Sequence, residues 1–577
     1  MSATNPGSAG NAPRASAAYE VVIGLEVHAQ LLTESKLFCT CSTATHPVPN
    51  SSTCPVCLGH PGAMPYPNAR AVDLAVRLGL ALGCSVHRQT EWARKHYFYP
   101  DLPKGYQITQ FAHPLCTGGA LPLDPPVPLV RIHLEEDAGR SKHTVLGPST
   151  DAASAGDTVL DPVREATSEG EARLEPAGHA SPEGDARLDP AECASAVGDA
   201  VPGRDAVLKA ARGATLLDFG RAGVPLVEIV SEPALRSPEE AGTYLSELRR
   251  IVRYLGVSDG NMEDGSLRCD ANVSLRPRGT ESLGTRTEIK NLNSIRSVVR
   301  ALRYEAERQS ALLAAGEPVA QETRLFDETT GATHVMRAKE ESSDYRYCPE
   351  PDLPLLELSD ERIVEIALRI PELPHERRAR FAGEYGLTAE EIAVLTETPE
   401  LGDYFETVAR SLRKRMAGPG TGLVAPTAAS GADADRETTG APGLAAPRLA
   451  AKWIRGDVLG RASTLPPAEQ LVELLHRVAG GRLSGPMAKE ALAELAETGD
   501  TVEAIVARHG WVVVGDEDEL RAWVREVMAA HPTEVASYRQ GRTALLHFFV
   551  GQVMKLSRGL ADPVALRSVL AEELGPG

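Results

Sequence analysis

The sequence predicts an α+β protein, with a half of mixed strands and helices followed by helical arrays. Three observations predict it. From residue 19 to about 356, short β-branched runs such as Val21-Val22-Ile23 and Leu226-Val227-Glu228-Ile229-Val230 alternate with breaks marked by Gly and Pro. Beyond about 357, apolar residues fall at helix spacing. The chain has 577 residues, enough for about three or four domains at roughly 150 residues each, which excludes a single small module.

In chain order, residues 1–18 are small and polar, lack the basic start and apolar stretch of a signal peptide, and read as a disordered leader. The 19–356 segment is the expected chemical half. It is interrupted at about 148–212 by a stretch rich in Ala, Gly, Pro, Asp and Glu, in which Gly156-Asp157-Thr158-Val159-Leu160-Asp161-Pro162 recurs from Gly170 and from Gly184, a period of 14 residues. Each unit carries too little apolar surface to offset its ordering entropy, so the stretch reads as a low-complexity surface insertion. Ile363, Ile366, Ala367 and Ile370 open a helical connector over 357–465. Within it Thr388-Ala389-Glu390-Glu391 is a capping box, and 417–447, rich in Gly, Ala, Pro and Thr, reads as a linker. The 466–577 segment is a helical tail domain, with Leu471, Leu474, Leu475 and Val478 on one helix face and Leu545, Phe548, Phe549, Gln552 and Val553 on another.

Hydrophobic residues make up 42% and charged residues 24%, near the soluble average, and no apolar run approaches the ~18 residues that span a bilayer. A cytoplasmic protein is expected. The net charge of -19 argues against whole-surface attraction to nucleic acid; residues 151–205 carry -9 of it, which leaves room for a local basic patch elsewhere. Nine cysteines, four of them between Cys39 and Cys57, suit a metal in a reducing compartment better than a disulfide framework.

Cys39-Thr40-Cys41 and Cys54-Pro55-Val56-Cys57 offer four thiols in two pincers, the pattern of a closed, structural zinc site; four unliganded thiols are the alternative. In Gly24-Leu25-Glu26-Val27-His28, strand alternation puts Glu26 and His28 on one face. Glu135-Glu136-Asp137 adds oxygen donors of the kind that suit magnesium. On spacing alone, such acids are more often a solvated face. Residues 92–106 mix Lys95 and Lys104 with aromatic rings, which can hold phosphate or stack on bases, or can pack as an aromatic loop on the core. Gly265-Ser266-Leu267-Arg268-Cys269-Asp270-Ala271-Asn272 is similarly polar beside a strand-like run. No phosphate-binding Gly-x-x-x-x-Gly-Lys-Ser/Thr loop and no Gly-x-Ser-x-Gly elbow occur, and Cys269 and Cys348 read as buried thiols. Arg539-Gln540-Gly541-Arg542 and Lys555-Leu556-Ser557-Arg558-Gly559 are either a solvated face or an RNA-phosphate contact.

Several long motifs occur in order: Ile23-Gly24-Leu25-Glu26-Val27-His28, Tyr97-Phe98-Tyr99-Pro100-Asp101, His133-Leu134-Glu135-Glu136-Asp137-Ala138-Gly139, the Gly265 to Asn272 run, Lys290-Asn291-Leu292-Asn293-Ser294, Asp344-Tyr345-Arg346-Tyr347 and, in the tail, Val550-Gly551-Gln552-Val553-Met554-Lys555. With them the chain resembles the B-subunit family of the aspartyl/glutamyl-tRNA(Asn/Gln) amidotransferases, from residue 21 to about 563 except for the two low-complexity stretches. The resemblance implies a largely antiparallel sheet in the catalytic domain and a tail that grips tRNA. It implies a heterotrimer in which an amidase, the A subunit, releases ammonia from glutamine and a small C subunit helps hold the assembly. The B subunit then uses ATP to phosphorylate the side-chain carboxylate of Glu on tRNA(Gln), or Asp on tRNA(Asn), and ammonia displaces phosphate. A tRNA-binding scaffold without this chemistry is the alternative.

Carried over residue by residue, the resemblance puts His28 and Glu136 at metal-site positions with Glu26 beside them, for magnesium. It associates Lys95, Lys104, Glu136 and Asp270 with the ammonia route and the kinase pocket, lets Arg268 help hold phosphate, and places Cys39, Cys41, Cys54 and Cys57 with the zinc-bearing branch of the family. Two positions depart from the family pattern: Gly220 replaces an Asn in Asp218-Phe219-Gly220-Arg221, and Cys348 replaces an aromatic residue. The acidic insertion begins about a dozen residues after Glu136, so it is expected to loop away from a pocket that takes ATP.

Overall fold

In the computed structural model the described residues are 18–143, 215–338, 345–417, 444–461, 464–511, 516–557 and 559–575. The leader, the acidic insertion, most of the 417–447 linker and Asp344 therefore lie outside them. The chain divides into two compact units, Met1–Pro371 and Glu372–Gly577.

The first unit is organised by strand β1 (Tyr19–Gln30). Its alternation buries Leu25, Val27 and Ala29 on one face and turns Glu26, His28 and Gln30 to the other. Six further long strands join it: β2 (Val127–Glu136), β3 (Pro225–Ser231), β4 (Leu267–Pro277), β5 (Thr287–Leu292), β6 (Glu322–Asp327) and β7 (Ala332–Ala338). Their order is β7-β6-β5-β4-β1-β3-β2, and short strands beyond β2 bring the sheet to ten among the described residues. Neighbouring long strands pair antiparallel except β5 with β6, as the resemblance implies.

The apolar face carries helices α1 (Ala69–Ala81), α2 (Pro238–Tyr254) and α3 (Ile295–Ala314). Each begins at a polar residue whose side chain accepts first-turn amides: Asn68 from Arg70 and Ala71, Ser237 from Glu240, and Ser294 from Ser297. A small three-stranded sheet, Cys348–Pro349, Ala93–His96 and Tyr106–Thr109, brings the 92–106 segment to β2. The chain enters and leaves the 144–214 stretch through two paired strands, Arg140–His143 and Thr215–Asp218. Cys348 corrects one expectation: it is exposed, at the edge of the small sheet, whereas Cys269 is buried.

The second unit is helical. Thr388 opens Ala389–Leu395 with the expected capping box, its side chain accepting from the Glu391 amide while the Glu391 carboxylate accepts from its own. The helix that carries Ile363, Asp360–Ala367, falls in the first unit and ends short of Ile370, because Ile370 precedes Pro371 and is pushed out of helical geometry. Helix Ala445–Trp453 starts inside the expected linker, with Pro447 in its first turn, where a missing N–H costs nothing. One core takes in Phe381, Phe405, Trp453, Leu471, Leu475 and Ile505, and so runs across residue 466. A second core packs Phe549 and Val553 on Leu520, Val524 and Leu570.

Candidate active site

The polar face of β1 builds the site. Register sets Glu26 opposite Asp270 of β4, and His28 opposite Arg268 of β4 and Glu228 of β3; Glu228 in turn faces His133 of β2. His28 Nε2 lies 3.2 Å from Glu228 Oε2, 3.3 Å from Glu135 Oε1 and 3.9 Å from Glu26 Oε1. His133 Nε2 lies 3.5 Å from Glu228 Oε2. One imidazole nitrogen thus faces three carboxylates, and Glu135 and Glu228 are almost wholly buried.

The electrostatics follow from this crowding. Burial, then the neighbouring Glu228, raises the Glu26 carboxyl from 4.5 to about 7. Burial opposes the charged form of His28, but the hydrogen bonds to Glu135 and Glu228 outweigh it and hold the imidazolium well above its ordinary range. Burial likewise opposes the Lys95 ammonium, and Glu135 and Glu228 outweigh it. Lys95 Nζ also sits 5.1 Å from the Tyr345 ring centroid. Asp270 is ion-paired to Lys290, which also lies 3.3 Å from Glu288.

The donor set fits a divalent cation. Glu26, His28 and Glu228 offer ligand atoms within 4.8 Å of one another, as do His133, Glu135 and Glu228. Glu136 is not brought to His28. Alternation turns it to the other face of β2, where its Oε1 accepts from the Ile108 amide at 2.9 Å and pairs with Lys104. The Lys104 stem lies against Gly59, where any Cβ would run into its Cγ. Arg268 is held by Asp137, through Nη1 to Oδ1 at 3.0 Å and a second bond to Oδ2. Arg221 reaches the same carboxylate at 3.4 Å. Burial pushes the Asp137 carboxyl up, and Arg221 and Arg268 overcome it, holding it down at about 2.

The four cysteines converge, with all four Sγ atoms within 4.8 Å of one another. Cys54 and Cys57 Sγ are 3.8 Å apart, the spacing of about 3.8 Å that a tetrahedral zinc with 2.3 Å bonds requires. Cys57 Sγ accepts from the Cys54 amide at 3.1 Å and lies 3.7 Å from Lys36 Nζ, contacts that suit a thiolate ligand. At the departure from the family pattern, Asn50 of this loop donates through Nδ2 to the Leu217 carbonyl and accepts from the Phe219 amide, while Asp218 accepts from the Gly220 amide. The turn is thus held without a side chain at 220.

A family model described as the GatB/GatE catalytic domain matches residues 21–171 and 202–364, and a second, described as the GatB domain, matches 438–574. The B subunit of the aspartyl/glutamyl-tRNA(Asn/Gln) amidotransferase of Thermosynechococcus vestitus is 40% identical over 582 aligned residues, covering 98% of each chain. The protein of the same name from Anaeromyxobacter sp. strain K is 42% identical, covering 96% of this chain and 99% of its own. That from Nitratidesulfovibrio vulgaris strain DP4 is 41% identical, covering 97% and 100%. The chain belongs to the amidotransferase B-subunit family.

In this member of the B-subunit family, Glu228, Glu135 and His133 join the cluster around His28, although the residue-by-residue carry-over names none of the three. Two signals mark them in the sequence. Glu228 is a lone acid inside the apolar run 226–230, and His133-Leu134-Glu135 repeats the alternation of Glu26-Val27-His28. Among the described residues, no helix is long and apolar enough to cross a membrane.

Proposed function

We propose that the chain is the ATP-using member of a heterotrimeric tRNA-dependent amidotransferase, acting with an amidase (the A subunit) and a small C subunit in the cytoplasm. Its substrate is Glu on tRNA(Gln), Asp on tRNA(Asn), or both. A side-chain carboxylate oxygen attacks the γ-phosphorus of ATP, the bond to the β,γ-bridging oxygen breaks and ADP leaves. Ammonia then attacks the carbonyl carbon, the C–O bond to phosphate breaks, and the amide loses a proton. The order follows from leaving-group chemistry, since a carboxylate is a poor acyl donor and an acyl phosphate a good one.

The observation that carries this reading is the convergence of part-buried Glu26 and His28 on buried Glu228 in a chain of this family. These three, with Glu135 and His133, are the residues assigned to magnesium, in place of Glu136. Bound magnesium would supply positive charge beside the triphosphate. Lys95, buried against Glu135 and Glu228, keeps positive charge at the edge of the site. Lys104 and the Ile108 amide fix Glu136, and so fix the end of β2 from which Glu135 projects. Asp270 and Lys290 line the next strands, where a polar small molecule such as ammonia can be passed between charges. Arg268 orients Asp137 and reaches phosphate only by leaving it. Zinc on Cys39, Cys41, Cys54 and Cys57 pins the loop that packs on Lys104.

The test uses the heterotrimer with Glu-tRNA(Gln), ATP, magnesium and ammonium chloride, which bypasses the amidase. Glu228→Gln should bind tRNA as wild type does and lose amide formation by about a hundredfold or more, the scale of a lost charge-stabilising group. Equal activity in the two would reject the assignment, and a wild-type heterotrimer that binds tRNA without forming amide would leave a scaffold role.

A further inference from the structure

Arg131, Phe111 and Tyr347 come together from three separate segments of the first unit. The Phe111 and Tyr347 rings are stacked, with centroids 3.9 Å and planes 7° apart. The Arg131 guanidinium lies 5.9 Å from the Phe111 centroid. Packed rings usually meet offset or edge-on around a core, but Phe111 is 45% exposed, so this parallel pair sits at the surface. Arg131 Nε is buried without a hydrogen-bond partner among the described residues.

The platform is fixed in place and leads to the site. The His96 amide donates to the Tyr345 carbonyl at 2.8 Å, and His96 Nδ1 lies 2.9 Å from the Arg346 carbonyl. Tyr345 stands edge-on to Tyr347 and carries Lys95 on its ring. On β2, Arg131, His133 and Glu135 follow on one face. At a strand rise of ~3.3 Å per residue, Arg131 is roughly 7 Å from His133 and roughly 13 Å from Glu135 along the strand.

A flat aromatic pair beside a cation lacking a full set of partners offers a π-face for a base and a guanidinium for the phosphate next to it. We propose that Arg131, Phe111 and Tyr347 form a subsite for a 5′-phosphorylated adenosine, with the base against the ring pair and the phosphate on Arg131. The inference rests on the proposed function for its choice of nucleoside, because both ATP and the 3′-terminal residue of an aminoacyl-tRNA carry this group.

The experiment measures KM for ATP and KM for Glu-tRNA(Gln) separately in the heterotrimer, with ammonium chloride as nitrogen donor. Phe111→Leu and Arg131→Gln should raise at least one of these KM values by about tenfold, the worth of one base stack, with kcat within about twofold. Phe111→Trp should restore it. A rise confined to ATP assigns the subsite to the nucleotide, and a rise confined to Glu-tRNA(Gln) assigns it to the tRNA end. Unchanged KM values, a fall in kcat alone, or Leu serving as well as Trp at 111 would overturn the proposal. Equilibrium dialysis of the same heterotrimers with AMP and with the trinucleotide CCA separates the two readings. If wild type forms no amide, the proposed function fails, while loss of AMP or CCA binding in Phe111→Leu still supports the subsite and its retention still overturns it.

Discussion

Glu305 of α3 and Arg324 of β6 lie in one buried polar cluster of the sheet unit; Glu26 and His28, part-buried, lie with buried Glu135 and Glu228 in another. In the first, every charge is answered. Glu305 accepts from Arg308 through both oxygens, at 2.6 and 2.9 Å, and also from Gln309 and Thr333. Arg324 donates to Glu322 at 2.6 Å, to the Thr333 hydroxyl at 2.8 Å and to the Thr333 carbonyl at 2.7 Å. In the second, three carboxylates share one His28 nitrogen, and burial leaves Glu26 half-protonated near neutrality. A saturated cluster locks α3 onto the sheet edge. An unsaturated one keeps an unmet demand for positive charge, which is what a cation-binding site needs.

The sharpest way to break this contrast is Glu305→Leu. It takes from Arg308 and Arg324 the carboxylate they share and leaves both on Glu322, and removing one member of a buried ion network costs about 3–5 kcal/mol. Urea unfolding of the purified chain should show that loss, while ammonium-dependent amide formation per folded heterotrimer stays near wild type. A stability near wild type would mean the network is not what holds α3.

Lys290 sharpens the contrast from its border. It is the cation shared by Asp270 and Glu288, and it offsets Glu26 as well. Lys290→Met should destabilise the chain by about 2 kcal/mol near neutral pH, less than a fully buried break because the pair is partly solvated. The loss should shrink in high salt, which screens a partly solvated pair. A loss that persists unchanged in high salt would show that packing of the side chain, and not its charge, matters there.

The sequence makes these two clusters unequally legible. Alternation in Gly24-Leu25-Glu26-Val27-His28 is local, so the shared face of Glu26 and His28 could be read directly, as could the capping box at Thr388. The same parity rule separates Glu135 from Glu136, yet motif resemblance alone favoured Glu136, whose carboxylate the fold gives to Lys104. Glu228 could be suspected as an acid in an apolar strand, but only the pairing of residues 200 apart in sequence brings it to His28. The Glu305 network left no local signal, because a charged residue on an amphipathic helix reads as solvated until the strand that covers it is known. The core that runs across residue 466 was hidden for a similar reason: helix faces show that something is buried, not which helix buries it.

The smallest expected effect tests the unsaturated cluster from within. Glu26 titrates at about 7 in the folded chain against 4.5 for an ordinary carboxyl, so the folded state holds a proton that the unfolded state has lost. Stability therefore falls as pH rises from about 4.5 to about 7, and the full cost remains above that. Glu26→Gln should match wild type at pH 4 and be more stable at pH 8 by about 1 kcal/mol, a figure reduced for partial exposure. Unfolding in urea at the two pH values, without added metal, measures the difference. Magnesium should then stabilise wild type at pH 8 but not the variant, since a cation that neutralises Glu26 removes the same penalty that the substitution removes. If the variant gains nothing at pH 8, the carboxylates are already balanced without a cation, and the contrast between the two clusters disappears.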